Sequence, residues 1–490
     1  MLTRREFVLG GAAAWAALAR GRAFAAVAGA LSGGGLRLRV GVLSDIHVSL
    51  LGAPDEDEMS GGKNARTFIK ALSWYRDQRA DAVLVAGDLT NSSFKSELLA
   101  VGEAWRQVFP NDRTPDGREV VRLFIAGNHE WEGWKYGKAG SKRFPNEADL
   151  RKNVFTFNED AFWREAFGEP FEKFPYQEVK GYGFLGAHWP YHDEAGERLR
   201  ACAARYPRRK PLFYFQHPHV RGTLLADTVR GCCDNGKLLP VLRKMPNVLV
   251  LSGHSHTSLT DERSVWQGGF TAINAGSLRF TACPSGRENG GPRRNSDFKA
   301  MPELGTQDCR QGLLMDVYDD RIVLARREFV TGLPLGPDWV IPLSAERPFE
   351  PSARAAAFDA PAFPVDAKVT VGEIGEGNAR GGDKIPRLSV EFPQALPAEG
   401  RRSRVYDYRV EVRQILVVGA DTYLVRRFVA DGFNHGASDV PPRMRCVLCA
   451  TEIPRECELE VEVRAANCFG ALSDPISSGR FRLPGRVVRW

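Results

Sequence analysis

The chain has no long apolar run outside a short Gly/Ala stretch near its start. It has no Lys/Arg tract, no internal repeat and no low-complexity segment. The first absence argues against a membrane-spanning helix in the mature protein. The second argues against specific nucleic-acid binding, which needs a clustered basic face. The net charge of +7 is spread along the sequence and suits mild attraction for phosphate-bearing ligands or simply a solvated mixed surface. Nine cysteines occur, an odd number, and no spacing dictates a pairing. Cys446-Val447-Leu448-Cys449 is a lone CxxC, with only Cys457, Cys468 and His435 near it in sequence. Core thiols or a local disulfide suit it better than a zinc knuckle.

What is present begins with a targeting segment. Thr3-Arg4-Arg5-Glu6-Phe7-Val8 resembles a twin-arginine export signal, and a weakly apolar stretch runs from Val8 to Ala19. Ala23-Phe24-Ala25 offers a small-residue cleavage site, so residues 1–25 are expected to be removed. The implied partner during export is the twin-arginine translocase, and the expected location is periplasmic or exported. The remaining length exceeds one ordinary core and predicts two domains.

Apolar runs recur, each closed by polar residues. Leu36 to Leu43 precedes Ser44-Asp45, and Ala82 to Ala86 precedes Gly87-Asp88. Val120 to Ala126 precedes Gly127-Asn128, Pro211 to Phe215 precedes His217, and Val248 to Ser252 precedes Gly253-His254. Between the first runs, Ala65, Phe68, Ile69, Leu72 and Tyr75 mark one helix face; Leu98, Val101, Ala104, Trp105 and Val108 mark another. Alternating strands and helices predict an α/β domain, with functional groups at the carboxyl ends of strands. An aromatic insert over residues 130–180 breaks this rhythm. It is expected either to rim the site or to form a small cap of its own. A Pro/Ala-rich stretch over 344–364 reads as a linker. Beyond it, over 365–486, period-two alternation such as Tyr406, Tyr408, Val410, Val412 predicts an all-β sandwich.

The polar residues that close these runs form an ordered set: Asp45-Ile46-His47, Gly87-Asp88, Gly127-Asn128-His129-Glu130, His217 and Gly253-His254-Ser255-His256. The set resembles the calcineurin-like metallophosphoesterase family over roughly Leu36 to Phe329. The resemblance implies a four-layer αββα sandwich and a binuclear centre. Asp45, His47, His256 and Asp88 would hold one metal; Asn128, His217, His254 and Asp88 would hold the other. Asp88 would bridge them. Nitrogen and oxygen donors suit two divalent or mixed-valence ions such as Mn, Fe, Zn or Ni. A hydroxide shared by the two ions would attack phosphorus, and His129, a non-ligand, would protonate the leaving oxygen or steady the phosphate.

The family has several branches. Purple acid phosphatases carry a tyrosine three positions after the bridging aspartate, where this chain has Asn91, and their fibronectin-like domain comes first. The stretch from Leu459 to Pro475 resembles part of a fibronectin type III domain, with Leu459 where a tyrosine is usual. The expected activity is hydrolysis of phosphomonoesters or phosphodiesters, from small-molecule, lipid or nucleotide substrates. Two alternatives stand: a periplasmic nucleotidase or cyclic-nucleotide phosphodiesterase, and a cell-envelope binding protein built on a phosphatase fold. Trp131 and Trp134, closest in sequence to Asn128, are expected to contact substrate, with His219 near the rim. His188 and His192 are expected to be structural or at the surface, and His435 solvated.

Overall fold

A computed structural model of the protein describes residues 35–49, 62–136, 146–207, 210–224, 231–282, 286–289, 309–378, 384–436 and 440–483. The twin-arginine motif, its apolar stretch and the cleavage site lie outside these residues, as does Cys283. Among the described residues no helix is long and apolar enough to cross a membrane.

The first region is built on strands β1 (Leu38–Leu43), β2 (Ala82–Ala86), β3 (Val121–Ile125), β4 (Tyr176–Val179), β5 (Tyr182–Ala187) and β6 (Leu212–Gln216). They are followed by β7 (Val248–Ser252), β8 (Val265–Gln267), β9 (Thr271–Asn274), β10 (Gln311–Val317), β11 (Arg321–Glu328) and β12 (Trp339–Pro342). These form two six-stranded sheets, ordered β12-β11-β10-β1-β2-β3 and β4-β5-β6-β7-β9-β8. The pairs β1/β2, β2/β3, β5/β6, β6/β7 and β7/β9 are parallel. Strand β2, Ala-Val-Leu-Val-Ala, is buried along its whole length, as a strand covered on both faces requires. One core lies between the sheets, where Val42, Leu84 and Ile125 meet Phe184, Phe215 and Leu251.

Helices cover the outer faces. Helix α1 (Gly62–Asp77) turns Phe68, Ala71, Leu72 and Tyr75 inward, and α2 (Lys95–Val108) turns Leu98, Val101 and Trp105 inward, onto the first sheet. The aromatic insert contributes α3 (Asn128–Glu132), α4 (Glu147–Asn153) and α5 (Glu159–Phe167). Phe155, Trp163 and Phe167 of this insert join the same outer core. The short helices α6 (Gly196–Ala203) and α7 (Leu239–Leu242) lie beside the second sheet. The layers therefore run helix, sheet, sheet, helix.

The stretch over 344–364 is not a free spacer. It contains α8 (Pro351–Ala356), buries Phe349, and exchanges Phe349 N–H to Gln267 Oε1 and Gln267 N–H to Phe349 O. Arg354 pairs with Glu262 of the first region. Its Pro/Ala composition hid one large apolar anchor and one ion pair.

The last region is all β: β13 (Thr370–Asn378), β14 (Lys384–Pro393), β15 (Asp407–Ile415), β16 (Ala420–Val429), β17 (Arg443–Cys449), β18 (Leu459–Ala466) and β19 (Ile476–Phe481). Antiparallel sheets β13-β14-β17 and β16-β15-β18-β19 enclose Leu388, Val390, Phe392, Tyr408, Val410, Val412, Val461 and Val463. Cys446 and Cys449 on β17 remain separate buried thiols. The sandwich touches the first region through Arg287 and Asp407, Asn289 and Val429, and Gln311 and Asn434. His435 sits half-buried at this junction, 3.3 Å by Nε2 from Cys309 Sγ, rather than out in solvent.

Candidate metal centre

The five polar loops all leave the carboxyl ends of parallel strands, β1, β2 and β3 in one sheet and β6 and β7 in the other. The two sheets bring those ends together. Asp45 N–H donates to Gly87 O at 3.0 Å and His47 N–H to Asp88 O at 3.0 Å, stitching the β1 loop to the β2 loop. Gly253 N–H donates to His217 O at 2.9 Å, stitching the β7 loop to the β6 loop. His254 N–H donates to Asp45 Oδ2 at 2.9 Å, which joins one sheet to the other.

The resulting side chains fall into overlapping groups whose donor atoms are close enough to share an ion: Asp45, His47 and His256; Asp88, His217 and His254; and His47, Asp88 and His129. Asp88 Oδ2 lies 3.1 Å from His217 Nε2 and 3.4 Å from His47 Nε2, so it faces both of the first two groups. Its other oxygen accepts His129 N–H at 2.9 Å. Asn128, at the start of α3, turns its amide toward Tyr136 Oη at 3.3 Å. The third group puts His129 within reach of a shared ion, which the sequence reading had kept to non-ligand roles.

Do these residues fit metal? Within the expected ligand set, Asp45 Oδ1, Asn128 Oδ1 and His217 Nε2 are buried without a hydrogen bond, three of nineteen such side-chain atoms among the described residues. Buried polar atoms are rarely left so, and a ligand role would answer these three. His217 Nδ1 sits 2.8 Å from Ala86 O and His256 Nδ1 3.2 Å from Phe280 O, so each ring can donate one N–H and leave Nε2 open. Burial opposes the charge of His217, yet Asp88 and then Asp45 draw its pKa up to about 9. The two buried carboxylates therefore favour positive charge at the centre, which a cation would also supply. The donor set fits a metal pair.

The backbone is strained where the ligands stand. Asp45, His47, Asp88, His254 and His256 have φ of 54°, 51°, 54°, 68° and 53°. A non-glycine residue there costs on the order of 1 kcal/mol or more, and such outliers collect at functional sites. Glycine supplies the remaining clearance. At Gly87, with φ of 92°, a Cβ would stand 2.5 Å from His217 Nδ1. At Gly127 it would overlap the Asp88 carboxylate.

Supporting residues hold this frame. The Glu130 carboxylate accepts Thr90 N–H at 2.6 Å, Thr90 Oγ1–H at 2.8 Å and Gly127 N–H at 2.6 Å, locking the β2 loop to the β3 loop. Burial and then the Asp88 charge push it up to about 8, against those donors. His129 Nδ1 lies 2.6 Å from Asn91 O, and burial lowers its pKa. His219 does not reach the rim. It is fully buried, past the end of β6, with its ring nitrogens each 2.7 Å from Ser252 Oγ and Ser255 Oγ. It braces the loop that carries His254 and His256. His188 is likewise internal, its Nδ1 accepting Ala126 N–H at 2.8 Å. His192 is buried against Trp189.

The two tryptophans expected at the substrate face elsewhere. Trp131 packs on Phe155, Phe171 and Tyr191, and Trp134 on Phe157. The insert has its own aromatic core, and these rings complete it. The rings beside the ligand set are Tyr136, 4.9 Å from His129; Trp189, 6.0 Å from His254; and Phe280, 4.3 Å from His256. Arg279 Nη1 stands 3.2 Å from His47 Nδ1. These four residues come from three separate segments, and nothing local in the sequence marks them.

Residues 38–258 match the family model of the calcineurin-like phosphoesterases. The fold is that of the metallophosphoesterases, followed by a separate all-β region. Among solved structures, a dimetal phosphatase from Danio rerio is 12% identical, with a TM-score of 0.38, over 63% of this chain and 100% of its own. A predicted phosphoesterase from Streptococcus pneumoniae is 11% identical, with a TM-score of 0.27, over 62% of this chain and 97% of its own. Vacuolar protein sorting 29 from Cryptosporidium parvum is 13% identical, with a TM-score of 0.26, over 63% and 97%. No curated protein matches the sequence.

Proposed function

We propose that this chain is an exported, metal-dependent phosphoesterase that hydrolyses phosphomonoesters or phosphodiesters. The observation that carries this reading is the buried Asp88 carboxylate facing two His/carboxylate groups at once, amid unpartnered ligand atoms. Asp45, His47, His256 and Asp88 would hold one cation, and Asn128, His217, His254 and Asp88 the other. Bound cations supply Lewis acidity, making water a better nucleophile and drawing charge from phosphoryl oxygens. Imidazole, amide and carboxylate donors suit Mn, Fe, Zn or Ni. His129, fixed by its backbone N–H to Asp88 and by Nδ1–H to Asn91 O, converges with His47 and Asp88 on one point, where its imidazolium form can give a proton to a leaving oxygen. Tyr136, Trp189 and Phe280 support an ester whose organic part is flat or apolar, such as a nucleotide or a lipid head group.

Export rests on Arg4-Arg5 and the weak apolar stretch after them. The all-β region, with antiparallel sheets of three and four strands, supports a fibronectin type III-like module. The test is elemental analysis of Mn-saturated protein together with turnover of nitrophenyl and bis-nitrophenyl phosphate. About two metals per chain and hydrolysis of at least one ester are expected. Metal without turnover of any ester would favour a binding protein on a phosphatase fold. A single metal at saturation would refute the binuclear reading. Replacing Arg4 and Arg5 by lysine should keep the precursor in the cytoplasm; undiminished periplasmic protein would refute export.

A further inference from the structure

We propose that Arg279 is a substrate-positioning residue that holds a terminal oxygen of a phosphomonoester, and that it turns from His47 to do so. This rests on the phosphoesterase reading and names the substrate class within it. The Arg279 guanidinium is half-buried, with Nη1 3.2 Å from His47 Nδ1. Among the described residues no carboxylate lies within ion-pair distance of it. Burial weighs against its charge, and Asp88, Asp45 and Glu97 support it. None of the three reaches ion-pair distance of it. Asp45 Oδ2 accepts His254 N–H, Asp88 Oδ1 accepts His129 N–H, and Glu97 accepts Ser92 N–H. The second oxygens of Asp45 and Asp88 face the histidines.

The contact with His47 cannot survive a loaded site. His47 Nε2 points into the cluster, 3.4 Å from Asp88 Oδ2 and 3.2 Å from His256 Nε2. For Nε2 to be a ligand atom, the neutral ring must carry its proton on Nδ1. Guanidinium is donor-only, so an N–H on Nδ1 would face an N–H of Arg279. The arginine is then left beside the centre with no carboxylate in ion-pair distance among the described residues. Its backbone is held where it is: Arg279 N–H and Phe280 N–H both reach Ser277 Oγ, at 3.1 and 3.4 Å. The acceptor that fits a half-buried guanidinium next to a phosphoryl site is a phosphoryl oxygen.

Counting oxygens selects the ester. A monoester offers three terminal oxygens and a diester two. If each cation takes a separate terminal oxygen, one is left for Arg279 in a monoester or in inorganic phosphate and none in a diester.

The experiment uses the full mature protein, Mn-loaded, as wild type, Arg279→Ala and Arg279→Lys. It measures metal content, calorimetric affinity for inorganic phosphate, and kcat and KM on a monoester and a diester. Arg279→Ala should keep its metal, lose about 10–100-fold in phosphate affinity and in monoester kcat/KM, and change on the diester by less than about threefold. Arg279→Lys should recover part of the phosphate affinity. Equal losses on both esters, loss of metal, or unchanged phosphate affinity would overturn the proposal and leave the phosphoesterase reading intact. A wild type that binds no phosphate and turns over neither ester would overturn both.

Discussion

The two regions of this chain use backbone strain differently. Among the described residues twelve non-glycine positions have positive φ; eleven lie before residue 343, and Glu456 alone lies in the sandwich. Five of the eleven are expected metal ligands. In the sandwich, β18 instead follows plain alternation, its burial switching at every residue from Leu459 to Ala465. Its outer face is tied by Arg/Glu pairs such as Arg413 and Glu462. Within the core the Tyr408 hydroxyl takes Ala395 N–H and gives to Gln394 Oε1. One region holds positive φ at the residues it aims toward a point; the other has it at one non-glycine position and takes up its irregularity as register shifts between β13 and β14, β15 and β16, and β18 and β19. The difference places the expected ligands, and with them the chemistry proposed above, in the first region.

Substitutions should break this contrast unequally. Asp88→Ala removes the carboxylate facing both groups. It should lower turnover about 10³-fold or more and reduce both metal occupancies, read by hydrolysis and elemental analysis. His129→Ala should cost about 10²–10⁴-fold on an alkyl phosphate and much less on a nitrophenyl ester, whose leaving group hardly needs a proton. Equal losses on the two esters would move His129 to a ligand or phosphate-holding role.

His219→Ala leaves every expected ligand in place but frees Ser252 and Ser255. Metal affinity should fall about 10–100-fold in a chelator competition; unchanged affinity would show that the loop needs no such brace. Tyr136→Ala should reorder preference among natural esters by several-fold. Trp131→Ala should instead lower stability by about 3 kcal/mol and leave the order alone, read by denaturant unfolding beside a substrate panel. Arg413→Ala, on the sandwich face, should cost less than about 1 kcal/mol and leave turnover unchanged. A larger loss of activity there would tie the sandwich to the chemistry.

Much of the first region was legible because buried parallel strands read as unbroken apolar runs. Ala82 to Ala86 and Val248 to Ser252 are each followed by a glycine and then by aspartate or histidine, so strand and site announced one another. The helix faces from Ala65 to Tyr75 and from Leu98 to Val108 were legible for the same reason. The rim was not. Tyr136, Trp189 and Phe280 approach the centre only through the packing of three distant segments. Trp131 has the same local signature as Tyr136 and faces the opposite way. Arg279 is one of 67 basic residues and lacks any motif of its own. His219 shared the spacing of His217, but the strand ends at Gln216, so period-two reasoning did not reach it. The Pro/Ala stretch misled because composition describes an average, whereas Phe349 and Arg354 act singly.

The order of strands also sets a schedule. Every expected ligand is in place by His256, yet β1, which carries two of them, pairs on its other side with β10, beginning at Gln311. A nascent chain that has just delivered its last histidine still has β1 as an open edge. It must wait for 55 more residues, the span from 256 to 311, before that edge closes. At synthesis rates of about 5–20 residues per second that is roughly 3–11 seconds. Through that interval the ligands exist as a set without the strand that closes their sheet, so the frame is completed only after β10, with the sandwich still to be made.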